Sequence, residues 1–406
     1  MTAAPAAVRD RRFPTLNAVR AIGALMVLLT HVAFNTGQVV RGSFGAVLSR
    51  FDFGVALFFV LSGFLLARPF LLAVARAEQG PRVAHYLWKR ALRILPLYWV
   101  VVAVALLIDP QNRDATVGDW LRNLTFTQIY AEGLPASSLT HMWSLATEVA
   151  FYLLLPVLVL VLAGRPRVGK ELPLGRIYAI LGVLCVLGVV WTALVAAYND
   201  TDIPMHQWLP GFLPWFGGGM LLAAASADQH SGRTPRRFTT LLEGWGRDLP
   251  GCWLLAAALF AIACTPVAGP RTLDPASPWE AVVKSVLYAA TALLLVLPLV
   301  FGPERSPARD LLAARVPHFL GEISYGIFAV HMFLLINLMS TLEIAEFTGY
   351  FTYVLAMVLV LTVAIATASF YGFESRFMRL KNAGPFRRRP ATTSERASDI
   401  DAWPSS

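Results

Sequence analysis

Lysine is almost missing from this chain, with 4 residues among 406 against 30 arginines. Charge of any kind is scarce at 15% of residues, while 56% are hydrophobic. A soluble domain carries about 25% charged and about 45–50% apolar residues, so a water-soluble globular fold is excluded. Cysteine is equally short. Cys185, Cys252 and Cys264 are odd in number, sit in or beside apolar runs and lack metal-ligand spacing, which excludes a disulfide framework and leaves packing thiols. The seven histidines contain no H-x-x-x-H pair, and no metal is expected. No internal repeat stands out, which argues against an inverted-repeat transporter.

What fills the chain instead is apolar sequence of membrane-spanning length, about 20 residues at about 1.5 Å rise each. Ten spans are predicted at 14–34, 51–72, 85–108, 143–163, 176–198, 208–226, 251–267, 281–301, 317–339 and 350–372. Ten spans place both termini on one side. With that side cytoplasmic, 27 of the 34 basic residues fall on inner segments and 5 on outer ones, the bias that orients membrane proteins. The net charge of +9 is then explained by topology, and no nucleic-acid partner is expected. The predicted fold class is all-α, a polytopic bundle of about ten transmembrane helices contacting membrane lipid. Residues 1–13 read as a cytoplasmic segment, 14–380 as the transmembrane domain and 381–406 as a polar, disordered cytoplasmic tail. The stretch TVGDWLRNLTFTQIY, within the outer connection 109–142, has the spacing of a short interfacial helix.

The first span, LNAVRAIGALMVLLTHVAF, carries Arg20 and His31. Eleven residues at about 100° each return to nearly the same helix face, about 16 Å along the axis. Each residue alone reads as a snorkelling or interfacial group, but a shared face points to one cavity served at two depths. Ser62 and Gly63 in GVALFFVLSGFL either permit close helix packing or line a site. In WKRALRILPLYW, Arg90 and Arg93 lie one turn apart and are either positive-inside residues or an anion clamp. In HMWSLATEVAFYLLLP, Ser144 and Glu148 share a face, with His141 just before. Glu148 is either a carboxylate favoured by the helix dipole or a partner in the same membrane layer as His31. His331 closes LGEISYGIFAVH, either as a hydrogen-bonded bundle histidine or as a lining group beside Tyr325 and Ser324.

Taken together, the arginine, ten residues and histidine of the first span, with these four motifs, resemble the membrane-bound acyltransferase family 3, whose members O-acylate sugars and other hydroxyl acceptors. The resemblance implies an acyltransferase in a cell membrane, a bacterial plasma membrane, that uses acyl-CoA as donor. The implied acceptor is a hydroxyl of a glycan, a glycolipid or a macrolide-like metabolite. It assigns Arg20, Arg90 and Arg93 to donor binding, His31 as general base and Glu148 as its partner. Ser62, Ser144 and Trp143 become oxyanion donors, and Tyr325 and His331 cleft lining. Many members read GVDLFFVLSG where this chain has Ala56; Asp52, one turn earlier, is the candidate replacement. A secondary transporter or flippase is the alternative that buried charges on many spans leave open.

Overall fold

A computed structural model of the chain describes residues 13–133, 135–165, 171–272, 274–303 and 305–382. The predicted N-terminal segment and tail therefore lie almost wholly outside the described residues. The described chain is helical throughout and contains no strand. In lipid every backbone amide must find its partner within the segment, and a helix meets that demand locally.

Helix α1 spans Thr15–Asn35, α2 Gly42–Ser49, α3 Phe53–Arg76 and α4 Val83–Ile108. Helix α5, Val117–Leu124, is the short amphipathic helix expected in the long connection; Thr116 and Asp119 close a capping box at its start. The Thr116 side chain holds the Asp119 carboxyl below the usual carboxylate range. Then follow α6 Trp143–Ala163, α7 Leu174–Tyr198, α8 Leu213–Gln229, α9 Arg237–Arg247 and α10 Leu249–Ala263. The remainder is α11 Pro278–Phe301, α12 Pro307–Leu312, α13 Arg315–Glu322, α14 Ser324–Thr341, α15 Phe351–Ser369 and α16 Ser375–Arg379.

Among the described residues nine helical segments are long and apolar enough to cross a membrane. Nine predicted spans coincide with them. The remaining one, 251–267, falls on α10, which has only 15 residues and meets α9 at 86°. That bent pair brings the count to ten if it is one span. Asp248 separates the two helices and caps α10 through its side chain, accepting from the Gly251 amide at 3.0 Å.

Burial sorts the bundle into a centre and a rim. The apolar windows containing α3 and α8 are each 83% buried, whereas that of α7 is 11% buried and that of α15 22%. Exposed Val183, Val186 and Leu187 on α7 present the apolar surface a lipid-facing helix needs. The α3–α8 crossing is made by glycine. A Cβ on Gly63 would run into the Phe216 carbonyl, and one on Gly219 would come within 3.0 Å of the Gly63 Cα. The packing role of Gly63 thus exists in the fold, and it places Ser62, its neighbour, at the edge of the central cavity.

Candidate active site

Five helices, α1, α3, α4, α6 and α14, surround a cavity of about 90 Å³. Helix α1 contributes Arg20, and α4 contributes Arg90 and Arg93 from successive turns of one face. From α6 come Ser144, Glu148 and Tyr152, spaced by four residues and so stacked along one stripe. Ser62 of α3 donates a hydrogen bond to Glu148, and Tyr152 stands against the same carboxylate. Ser324 and Tyr325 begin α14; the Tyr325 hydroxyl donates to the Ile94 carbonyl at 2.8 Å.

Three guanidinium groups and one carboxylate line this cavity, an excess of positive charge where charge is costly. Arg93 reaches the Met378 sulfur at 3.2 Å and the Glu322 carbonyl at 3.5 Å, weak anchors for a guanidinium. The Nε of Arg90 is buried with no hydrogen-bond partner among the described residues. Donors left open around a small cavity suit an anionic ligand, since the cost of burying them is recovered only when an acceptor arrives.

His31 stands outside this lining. It belongs to a layer of three imidazoles, with ring centroids 5.1 Å from His331 and 6.2 Å from His141, which are themselves 4.7 Å apart. Phe328 belongs to both groups. It lines the cavity with Phe58, which it meets edge to face at 6.3 Å, and its ring lies 5.1 Å from His141 and 6.0 Å from His331. Of the two residues on the shared face of α1, Arg20 lines the cavity and His31 lies in the adjoining histidine layer.

The hydrogen bonds fix which imidazole nitrogen is basic. Nδ1 of His331 faces two carbonyls, Phe328 at 2.7 Å and Ile327 at 3.1 Å, so it carries the proton and its Nε2 is a lone pair. Nδ1 of His31 lies 2.8 Å from the Val27 carbonyl and 3.1 Å from Nε2 of His331. Both neighbours are acceptors, so Nδ1 of neutral His31 is protonated and its Nε2 is free to take a proton.

The neighbours of Glu148 are Ser62 and Arg20. It is His141, in the turn before α6, that joins the histidine layer, and Glu148 follows it by seven residues. Asp52 lies outside the cavity lining. Its carboxylate pairs with Lys284 at 2.6 Å and accepts from Tyr288, joining the start of α3 to α11, and its charge also acts on His31. Ala56, where many members carry the carboxylate, is fully buried. Trp143 stacks on Phe212 at 5.3 Å, also outside that lining. The structure thus brings together Arg20, Arg90, Arg93, Ser62, Ser144, Glu148 and Tyr325 around one cavity and sets His31 beside His331 in the adjoining layer.

Sequence reasoning missed Tyr152 and the place of His141. The stripe Ser144, Glu148, Tyr152 was available from spacing alone. His141 has both ring nitrogens buried without a hydrogen-bond partner among the described residues, against the Phe328–Ala329 backbone. Nothing in its local sequence signals that position, because the contact crosses from the turn before α6 to α14. No group of three metal-ligating side chains is arranged to hold an ion among the described residues.

Comparison with known proteins decides the family. The family model described as "Acyltransferase domain", acyltransferase family 3, matches residues 13–369. The chain belongs to the membrane-bound acyltransferase family 3. The match runs from before α1 to the end of α15 and contains every cavity-lining residue. Among curated relatives, the peptidoglycan O-acetyltransferase OatA of Listeria monocytogenes is 26% identical over 224 residues, 49% of this chain and 33% of its own length. The O-acetyltransferase OatA of Staphylococcus aureus is 29% identical over 221 residues, 50% of this chain and 34% of its own length. A regulator of hypoxia-inducible factor 1 from Caenorhabditis elegans is 25% identical over 237 residues, 50% of this chain and 44% of its own. The chain thus spans less than half the length of the relatives it matches. No solved structure matches it.

Proposed function

We propose that this family 3 member is an integral membrane O-acyltransferase. In this reading it moves an acyl group, acetyl by default, from acyl-CoA to a hydroxyl of a glycan, glycolipid or glycosylated metabolite. The observation that carries the reading is a cavity with three arginines against one carboxylate, sharing Phe328 with a histidine layer in which Nε2 of His31 is held basic. A cavity of about 90 Å³ is small beside the about 300–1,000 Å³ of a drug-sized site. It fits a phosphate or the thioester end, and the nucleotide stays at the mouth. Arg20, Arg90 and Arg93 hold the anionic part from the cytoplasmic side, and rotation of Phe58 or Phe328 admits the thioester to the histidine layer.

There Nε2 of His31 removes the acceptor's hydroxyl proton as the oxygen attacks the thioester carbonyl. The new O–C bond forms, the C–S bond breaks, and the leaving thiolate takes the proton back from Nε2. The Ser144 hydroxyl, which lines the cavity and bonds to the carbonyl of His141 at 3.2 Å, is the expected oxyanion donor that this reading favours. Family membership favours this reading over a transporter or flippase. The acceptor named for the Listeria monocytogenes relative supports a glycan hydroxyl such as that of peptidoglycan. The location proposed is a bacterial plasma membrane.

Incubating membranes that contain the protein with isotope-labelled acetyl-CoA, followed by mass spectrometry of candidate acceptors, tests reaction and acceptor together. Labelled ester on a glycan hydroxyl is expected. Labelled coenzyme pools with no acylated product in any glycan or lipid fraction would overturn the reading. Within the clamp, Arg93→Ala should raise the KM for acyl-CoA about tenfold, the loss of one charge-assisted contact. Its kcat should change less. A donor dependence identical to that of the unmodified protein would remove Arg93 from the clamp.

A further inference from the structure

We propose that His331 is a positioning residue for His31. Its Nε2 lone pair holds the Nδ1 proton of His31 and so keeps Nε2 of His31 turned to the acceptor hydroxyl. The inference rests on the reading of His31 as general base and adds to it the group that orients the ring.

The geometry leaves few other ways to do this. The carboxylate expected to orient His31, Glu148, is bound to Ser62 in the cavity lining, and Asp52, whose charge acts on His31, is bonded to Lys284 and Tyr288. The Val27 carbonyl accepts from His31 at 2.8 Å, but it lies on α1 one turn earlier and moves with the same helix. His331 acts from α14 and ties the imidazole to a second helix at 3.1 Å. Its own ring cannot turn freely. It is fully buried, with Nδ1 donating to the Phe328 and Ile327 carbonyls, and a flipped ring would leave Nδ1 without its acceptors at a cost the interior does not return. His141 closes the remaining side of both rings without bonding to either.

The chemistry of the acceptor also matters. An imidazole lone pair orients a neighbouring N–H as a carboxylate does, yet adds no charge to a layer inside the membrane, where an unpaired anion is expensive. His331 keeps its Nδ1 proton throughout, and the transferred proton passes only between the acceptor oxygen, Nε2 of His31 and the departing sulfur. The residue therefore shapes the rate through another group and exchanges no proton with substrate.

Three variants of the full-length purified protein test this, assayed for coenzyme A release and for acyl-donor KM. His331→Leu fills the space without a lone pair and should lower kcat about 10- to 100-fold, part of what a general base supplies. Donor KM should stay within about twofold, since His331 is not in the arginine-lined cavity. His331→Gln places a carbonyl oxygen near the Nε2 position and should recover most of the lost kcat. Monodisperse elution of each variant with unaltered acyl-CoA binding excludes misfolding. A normal kcat for His331→Leu, or a His331→Gln protein as slow as His331→Leu while still binding donor, would overturn the positioning role. His31→Ala run alongside separates the two ideas. If it remains active, the base assignment itself fails; if it is inactive while His331→Leu is normal, only the present inference fails.

Discussion

His31→Ala protein is expected to insert, fold and bind acyl-CoA normally while its acyl transfer falls by about 10²- to 10⁴-fold, the contribution of a positioned general base. Insertion should survive because the substitution makes α1 more apolar, and an imidazole is among the groups lipid tolerates least well. Folding should survive because His31 is only half-buried and its hydrogen bonds run to one carbonyl of its own helix and one ring. Donor binding should survive because His31 does not line the cavity that holds the arginines. The loss should appear in kcat and not in donor KM, the mark of an interaction made as the proton moves. Coenzyme A release and acceptor acylation measured on purified His31→Ala protein check this, and a rate equal to that of the unmodified chain would sink the base assignment.

Gly219→Leu should abolish activity by a different route, through loss of the fold. Backbone meets backbone where α3 crosses α8, with Gly63 and Gly219 facing each other. No flexible side chain can yield there, so a leucine forces the helices apart. Overpacking of this kind costs about 3 kcal/mol, a large share of the few kcal/mol that separate folded from unfolded states. The same displacement carries Ser62 away from Glu148, so any protein that remains folded should also bind donor poorly. Thermal unfolding of the detergent-solubilised protein gives the test. A melting temperature within a degree or two of the unmodified protein would show that the crossing is not limiting. Gly182→Leu, on lipid-facing α7 with open space around it, is the matched control and should be silent.

Much of the bundle was legible because lipid imposes a simple rule on sequence. A span must be long and apolar, and its flanking charges must sort by side. Nine predicted spans therefore meet their helices closely. The seventh was harder, since α10 alone is too short and the sharp turn at Asp248 joins it to the amphipathic α9. Spacing within one helix was equally readable. Arg20 and His31 on α1, Arg90 and Arg93 on α4, and Ser144 with Glu148 on α6 were paired by periodicity. The depth of Glu148 relative to His31 was not, because it depends on how far α6 slides along α1, and no residue in either helix records that offset.

Composition, span length and helical periodicity were enough to establish a helical membrane protein, its approximate span count and the residues that share a face. Those properties depend on contacts with solvent, lipid or the same helix, which are local in the chain. Tertiary structure alone decided that His31 is partnered by a histidine 300 positions away, that Asp52 pairs with Lys284, and that Phe328 joins the cavity lining to the histidine layer. Such pairings depend on the register and rotation of separate helices, set by the packing of glycines and phenyl rings at their crossings.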